Sequence, residues 1–261
     1  MFTSPGHIAF SFLSIDIYWY GIIMSLSILS GIITILFIKN KFYKEISNDR
    51  IFDISFLLII AGIIFARIYY VILDYRYFLN HPFFIPCIWN GGISIHGAII
   101  GGIIAFYFYA KKHNCDYLKY ADLFSFGIIV GQIIGRWGNF FNSEAFGLPC
   151  NLPWKLYIPY NMRPVEFRNY EFFHPAFLYE SMLNFLILII MLFILNKKSE
   201  KKNGIIFFTY LFLYSLVRIL IETIRLDSVL NISVVHFAHI ASLAFMLFAF
   251  FGLLYVNLKK T

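Results

Sequence analysis

Charge is what this chain has least of. Of its 261 residues only 13% are Asp, Glu, Lys or Arg, against about 25% in an ordinary soluble domain, while 60% are hydrophobic against about 45–50%. Mean hydropathy is +0.75. So little charge excludes a soluble globular domain and points to an integral membrane protein. Cysteine is scarce too. Cys87, Cys115 and Cys150 form no C-x-x-C pair, which argues against thiol-based metal or redox motifs. A Cys87–Cys150 disulfide stays open as an alternative, because sequence does not supply the Cα separation a bridge requires. Basic residues are missing from Met1 to Asp16, so the first apolar helix is expected to be retained rather than cleaved as a signal peptide. There is no fixed-period repeat and no low-complexity linker, and residues 1–261 read as a single polytopic domain.

Long apolar runs are what the chain has in place of charge. A spanning helix needs about 20 mainly apolar residues. Seven runs qualify, at roughly 18–38, 51–73, 93–110, 120–138, 175–195, 205–225 and 235–257. The fold class is therefore an all-α integral membrane protein with seven transmembrane helices. The net charge of +7 does not indicate nucleic acid. Lys39, Lys41, Lys44 and Arg50 follow the first run, and Lys111, Lys112 and Lys119 the third. Lys197, Lys198, Lys201 and Lys202 follow the fifth, and Lys259 and Lys260 the seventh. With seven spans all of these share one side, and cytoplasmic loops are the ones that collect Lys and Arg. The N-terminus is expected outside and the C-terminus in the cytoplasm. Of the two long outward loops, residues 139–174 hold Pro149, Pro153, Pro159, Pro164, Trp154 and several tyrosines. This segment is expected to fold as a small periplasmic cap at the interface, where Tyr and Trp concentrate.

Against this background the polar residues inside the runs stand out. An ionisable residue within a span is expensive, by roughly 2.5–3.5 kcal/mol on insertion scales, and marks a functional site by default. The densest group is Gly135-Arg136-Trp137-Gly138-Asn139-Phe140-Phe141-Asn142-Ser143-Glu144-Ala145-Phe146-Gly147. Its glycines permit close approach and positive φ, as a turn around a ligand needs. In the sixth run Tyr214, Arg218, Glu222 and Arg225 share one helical face. A bare Arg–Glu tie between helices is the structural alternative. His96 stands among small residues at the start of the third run, either packed or catalytic. Tyr18, Trp19 and Tyr20 open the first run as interfacial anchors, with Tyr20 the one expected to point inward. Arg67 needs a partner or an aqueous cavity. Glu180 needs an arginine, for which Arg67 and Arg136 are the candidates. Asp122 suits the positive end of its helix dipole. His236 and His239 are spaced for a metal, but a third ligand is not evident, and no metal site is expected. Arginine stays charged and offers a planar fork for phosphate oxygens. Arg136 and Arg218, with Arg67 and Arg225, therefore suggest an anionic lipid headgroup. A lipid or anion transporter and a non-catalytic scaffold are the competing classes.

The segment from Gly135 to Gly147 resembles the signature of the prolipoprotein diacylglyceryl transferase family, approximately G-R-x-G-N-F-x-N-x-E-x-x-G, with every fixed position matched. The resemblance extends to Trp19-Tyr20-Gly21, to Gly91-Gly92-Ile93-Ser94-Ile95-His96-Gly97, to His174–Glu180, and to Tyr214, Arg218, Glu222 and Arg225. Asn90 stands where the family often has aspartate, and Ala238-His239-Ile240-Ala241-Ser242 where it has G-Q-x-x-S. The resemblance implies a seven-span, N-out enzyme of the bacterial inner membrane. Such an enzyme moves the diacylglyceryl group of phosphatidylglycerol onto the lipobox cysteine in the signal peptide of a prolipoprotein. It would need no cofactor and would act as a monomer in the bilayer. It further implies that Arg136 and Arg218 hold the phosphate and that His96 is the general base. Tyr20, Asn139 and Glu144 would position the headgroup and Arg136. Glu222 would orient Arg218, with Tyr214 and Arg225 lining the substrate site.

Overall fold

A computed structural model describes residues 1–13, 15–197, 202–226 and 232–258. Its long helices are α1 (Trp19–Phe42), α2 (Asn48–Leu73), α4 (Ile95–Lys112), α5 (Tyr117–Asn142), α6 (Ala176–Lys197), α7 (Ile205–Glu222) and α8 (Ile232–Leu258), with a short α3 (Tyr75–Asn80). All eight prolines fall outside these helices. That is what uninterrupted apolar helices require, since an interior proline costs about 3 kcal/mol and hydrocarbon offers the backbone no other partner. Six helices are long and apolar enough to cross a membrane: α1, α2, α5, α6, α7 and the Ala238–Leu258 part of α8. The 18-residue α4 carries His96 in its first turn and Lys111 and Lys112 in its last, and it falls outside that set. Lys198, Lys201, Lys259 and Lys260 lie outside the described residues, as does the side chain of His236.

Two of the shifted helix ends bear on the site. α5 continues through the signature to Asn142, so Gly135 and Gly138 are helical and form no turn. The turn comes later, where Ser143 (φ 51°) and Ala145 (φ 53°) adopt left-handed backbone. Nothing between Gly135 and Asn142 blocks a helix. Gly138 serves close packing instead, since a Cβ there would sit 3.0 Å from the Tyr20 ring. α7 stops at Glu222, which puts Arg225 beyond the helix.

The chain divides into two compact units, Met1–Ile38 with Ala121–Thr261, and Lys39–Tyr120. In the first, an N-terminal hairpin pairs β2 (Ile8–Phe12) with β3 (Ile15–Tyr18), and Trp19 stacks on Phe141 at 4.7 Å. β4 (Leu156–Tyr157) is the middle of a small sheet, parallel to β1 (Phe2–Thr3) and antiparallel to β5 (Phe172–Phe173). Phe146, Leu156, Ile158, Phe173, Phe177 and Leu226 bury one another beneath it. The signature residue Phe146 thus anchors the segment expected to form the cap. Asp122 is fully buried and accepts from the backbone N–H groups of Gly204 and Phe207, both at 2.8 Å. The dipole it complements is that of α7, not that of its own helix.

In the second unit α2 and α4 pack at backbone distance. A Cβ on Gly97 would lie 2.8 Å from the Ala66 Cα, and one on Gly101 2.8 Å from the Ala61 carbonyl oxygen. Such small-residue seams are how helices approach closely in lipid. Arg67, 7% exposed, donates from Nε to the Ile85 carbonyl, from Nη1 to Gly91 and Gly92, and from Nη2 to Phe84, all at 2.6–2.8 Å. Its guanidinium also lies 5.1 Å from the Phe78 ring centre. This corrects the grouping of Arg67 with the phosphate-binding arginines, because its donors are already occupied by the loop it holds. Cys87, Cys115 and Cys150 are free thiols.

Candidate active site

The site is built where α5, α6 and α7 end or begin. After the left-handed turn, Gly147 donates to the His174 carbonyl at 2.9 Å and His174 donates to the Leu148 carbonyl at 3.0 Å. Leu148 donates to the Ile224 carbonyl at 2.9 Å, and Leu226 to that of Phe146 at 3.1 Å. The signature is thereby strapped to the residues before α6 and after α7. Only glycine fits at the crossing, where a Cβ would lie 2.7 Å from the His174 Cβ and 2.9 Å from the Ile224 oxygen.

These straps bring an alternating row of charges together. Glu180 of α6, 2% exposed, sits between two arginines. Its Oε1 is 2.6 Å from Arg136 Nη2, and its Oε2 is 3.3 Å from Arg218 Nη1. Arg218 Nη2 is 2.6 Å from Glu222 Oε2, and Arg225 Nη1 is 3.8 Å from the same oxygen. Of the two candidates for Glu180, Arg136 is the partner, joined by Arg218. On the other flank Arg136 Nη1 donates to Asn139 Oδ1 at 3.3 Å, and Asn139 Nδ2 to Glu144 Oε1 at 3.0 Å. Asn142 Nδ2 reaches the same Glu144 oxygen at 3.4 Å. Tyr214 lies beside Arg136, Glu180 and Arg218. The predicted residues Arg136, Asn139, Glu144, Tyr214, Arg218, Glu222 and Arg225 therefore form one connected network, and the Tyr20 ring packs against it at Gly138.

The row is unbalanced in a useful way. Three guanidinium groups face two buried carboxylates. The carboxylates are sealed, whereas Arg136, Arg218 and Arg225 each keep about a fifth of their side-chain surface open. The three partly open guanidinium groups offer planar forks suited to phosphate oxygens, with the exposed Glu144 carboxylate at the Asn139 flank. The buried carboxylates fix the forks rather than neutralise their open edge. Breaking such a buried pair from one side typically costs about 3–5 kcal/mol, so the arrangement is rigid.

His96 belongs to the other unit, at the second position of α4, exposed and with its ring 6.0 Å from that of Tyr69. Three features escaped the sequence reading. Trp154 Nε1 donates to the Tyr179 hydroxyl at 2.9 Å, and that hydroxyl lies 3.1 Å from His174 Nδ1. Gln132 and Asn184 line up one helical turn from Arg136 and Glu180 respectively, a spacing that could have been read by extending each polar face by four residues. Among the described residues, no cluster of three His, Cys, Asp or Glu is placed to hold a metal.

Residues 7–255 match the family model described as prolipoprotein diacylglyceryl transferase. A protein named phosphatidylglycerol--prolipoprotein diacylglyceryl transferase from Trichormus variabilis is 42% identical, covering 100% of this chain and 93% of the relative. Proteins of the same name from Prochlorococcus marinus and Synechocystis sp. are 45% and 40% identical, covering 86% and 99% of this chain and 80% and 92% of their own lengths. The signature strapped across three helix ends is thus set in a chain alike from end to end, and this protein belongs to the prolipoprotein diacylglyceryl transferase family.

Proposed function

We propose that this chain transfers the diacylglyceryl group of phosphatidylglycerol to the lipobox cysteine of a prolipoprotein, the first step of bacterial lipoprotein maturation. The observation that carries the reading is the open cationic edge of Arg136, Arg218 and Arg225 over the buried carboxylates Glu180 and Glu222. In the reaction the substrate thiol sulfur attacks the glycerol carbon that bears the phosphate. An S–C bond forms and the C–O bond to phosphorus breaks. The electron pair leaves on the phosphate oxygen, and glycerol phosphate departs carrying the proton the thiol gave up. Arg136 and Arg218 face the charge that gathers on that oxygen. Preorganised donors of this kind are worth about 10²–10³ in rate each. A free thiol has a pKa of about 8.5, so a base speeds its attack. His96 is our choice for that base. Asn139 and Glu144 position Arg136, Glu222 positions Arg218, and Tyr20, Tyr214 and Arg225 complete the headgroup site. The scheme calls for no metal or cofactor.

The same reading places the protein in the bacterial inner membrane with α4 as a seventh span, the N-terminus outside and residues 139–174 as a periplasmic cap. It acts as a monomer and a single polytopic domain, with lipid and signal peptide, not nucleic acid, as partners. The distribution of Lys and Arg after the first, third, fifth and seventh runs supports that orientation. The test is a mass assay with purified protein, phosphatidylglycerol and a lipobox peptide. A diacylglyceryl mass gain confined to the cysteine is the expected result. Lipid translocation into vesicles with no covalent product would replace the enzyme with a transporter.

A further inference from the structure

Beyond the arginines, the same three helices carry polar groups that the reaction scheme leaves unused. Asn184 lies in the buried stripe of α6, between Glu180 and Ile187, and is 0% exposed. Neither its Nδ2 nor its Oδ1 has a hydrogen-bond partner. Gln132 of α5 is one turn from Arg136, and its Oε1 is buried and unpartnered as well. It lies beside Tyr210, which stacks on Tyr214 with ring centres 5.8 Å apart. Two contacts fix the register of α5 against α6. Arg136 meets Glu180, and Ser181 Oγ donates to the Ile133 carbonyl at 2.9 Å. From that crossing, Gln132 and Asn184 lie in the same direction, away from the signature turn. Leaving a buried polar group unpaired costs about 1–3 kcal/mol, and a span offers no bulk water to relieve it. Asn184 alone has two donors and two acceptor sites idle.

We propose that Asn184 and Gln132 form a subsite for a neutral hydroxyl ligand, one helical turn from the Arg136–Glu180–Arg218 centre. An amide pair that both gives and accepts hydrogen bonds matches a hydroxyl, which does the same, whereas a bare cation would use only its oxygens and an anion only its N–H groups. Two sources supply that chemistry: the glycerol end of the phospholipid headgroup, whose phosphate the arginines hold, or an ordered water that completes the wall behind them. A turn of helix rises about 5.4 Å, comparable with the reach of a phosphoglycerol group. The inference rests on the transferase reading above and adds to it a determinant of headgroup choice.

The experiment compares the wild type, Asn184→Leu, Gln132→Leu and Asn184→Gln in lipid nanodiscs, with a lipobox peptide and either phosphatidylglycerol or phosphatidylpropanol, which lacks both headgroup hydroxyls. Thermal melting is followed in parallel. If wild type makes no product with phosphatidylglycerol, the transferase reading itself fails. With wild type active, the headgroup source predicts a preference for phosphatidylglycerol of about tenfold in kcat/KM, the worth of one good hydrogen bond. That preference is lost in Asn184→Leu, chiefly through KM, and partly regained in Asn184→Gln. The water source predicts equal falls of about tenfold on both lipids with no loss of melting temperature. Unchanged kcat/KM in both Leu variants overturns the proposal. So does a fall that only follows a lower melting temperature, since that is the behaviour of a packing residue.

Discussion

Arg67 and Arg218 present the same problem, a guanidinium carried into the bilayer by an apolar helix, and the two units of the chain solve it in opposite ways. Arg67 is surrounded by main-chain carbonyls of residues 84–92, which consume its donors, leave its charge uncompensated by any carboxylate among its described contacts, and close its surface. Arg218 is held by Glu180 and Glu222 from one side and keeps an edge open. The difference teaches that a buried arginine announces a function only when its partners leave it a free face. Carbonyls wrap a cation and make it architecture. Carboxylates on one side aim it.

That contrast can be broken by substitution. The largest effect is expected at the aimed arginines. Arg136→Ala and Arg218→Ala should lower the lipidation rate by about 10²–10³ or more while membrane levels persist. Arg218→Lys should do nearly as badly, because an ammonium cannot replace a fork engaged at two carboxylates. Normal rates in either variant would end the phosphate-holding assignment. Next comes Arg67→Met, which takes the donor from four partly buried carbonyls. We expect a stability loss of at least about 3 kcal/mol and proteolytic nicking within residues 74–92, with rate per folded molecule falling far less than for Arg136→Ala. Equal losses of rate and stability at both sites would erase the comparison. Gly147→Ala should cost about 1–3 kcal/mol, because its Cβ would press on His174 and Ile224, and the rate should drop as the strap shifts. Asp122→Asn keeps the shape of the α7 cap but removes its charge, for a melting shift corresponding to about 0.5–2 kcal/mol. At the small end, Lys119→Ala removes an exposed pair with Glu45 and should change stability by less than about 1 kcal/mol.

Much of this molecule is readable in its residues because lipid simplifies the rules. Each long helix coincides with an apolar run, and ends differ by a few residues where helix-compatible polar residues such as Asn139 and Asn142 let α5 continue. The network residues were visible as polar side chains on otherwise apolar faces. The Arg218–Glu222 pair was legible from its i,i+4 spacing and Arg136 was one of two candidates for Glu180, but the contact of Glu180 with Arg218 was not visible, since only the packing of α6 against α7 makes it. Nor was the true partner of Asp122, which lies 82 residues away. The β2–β3 hairpin was missed although Ile8, Phe10 and Phe12 alternate as a strand does, because an apolar segment ahead of a spanning helix reads as part of its interface. Arg67 was misgrouped because main-chain carbonyls leave no trace in a list of side chains.

The strap between residues 147–150 and 172–174 has one more consequence, for how such a chain can change over generations. Leu148 and His174 meet through the backbone, and Cys150 repeats the pairing with Phe172 at 3.0 Å, so the segment between them leaves and returns at a single point. Closing a longer loop across that point adds only about 0.6 kcal/mol per doubling of length. Within that segment Trp154 is tied to Tyr179 of α6 and Leu156 and Ile158 to the core, so changes of length are tolerated best in the outer turn, at residues 159–170. The Arg136–Glu180 network keeps its geometry while that outer turn is free to drift.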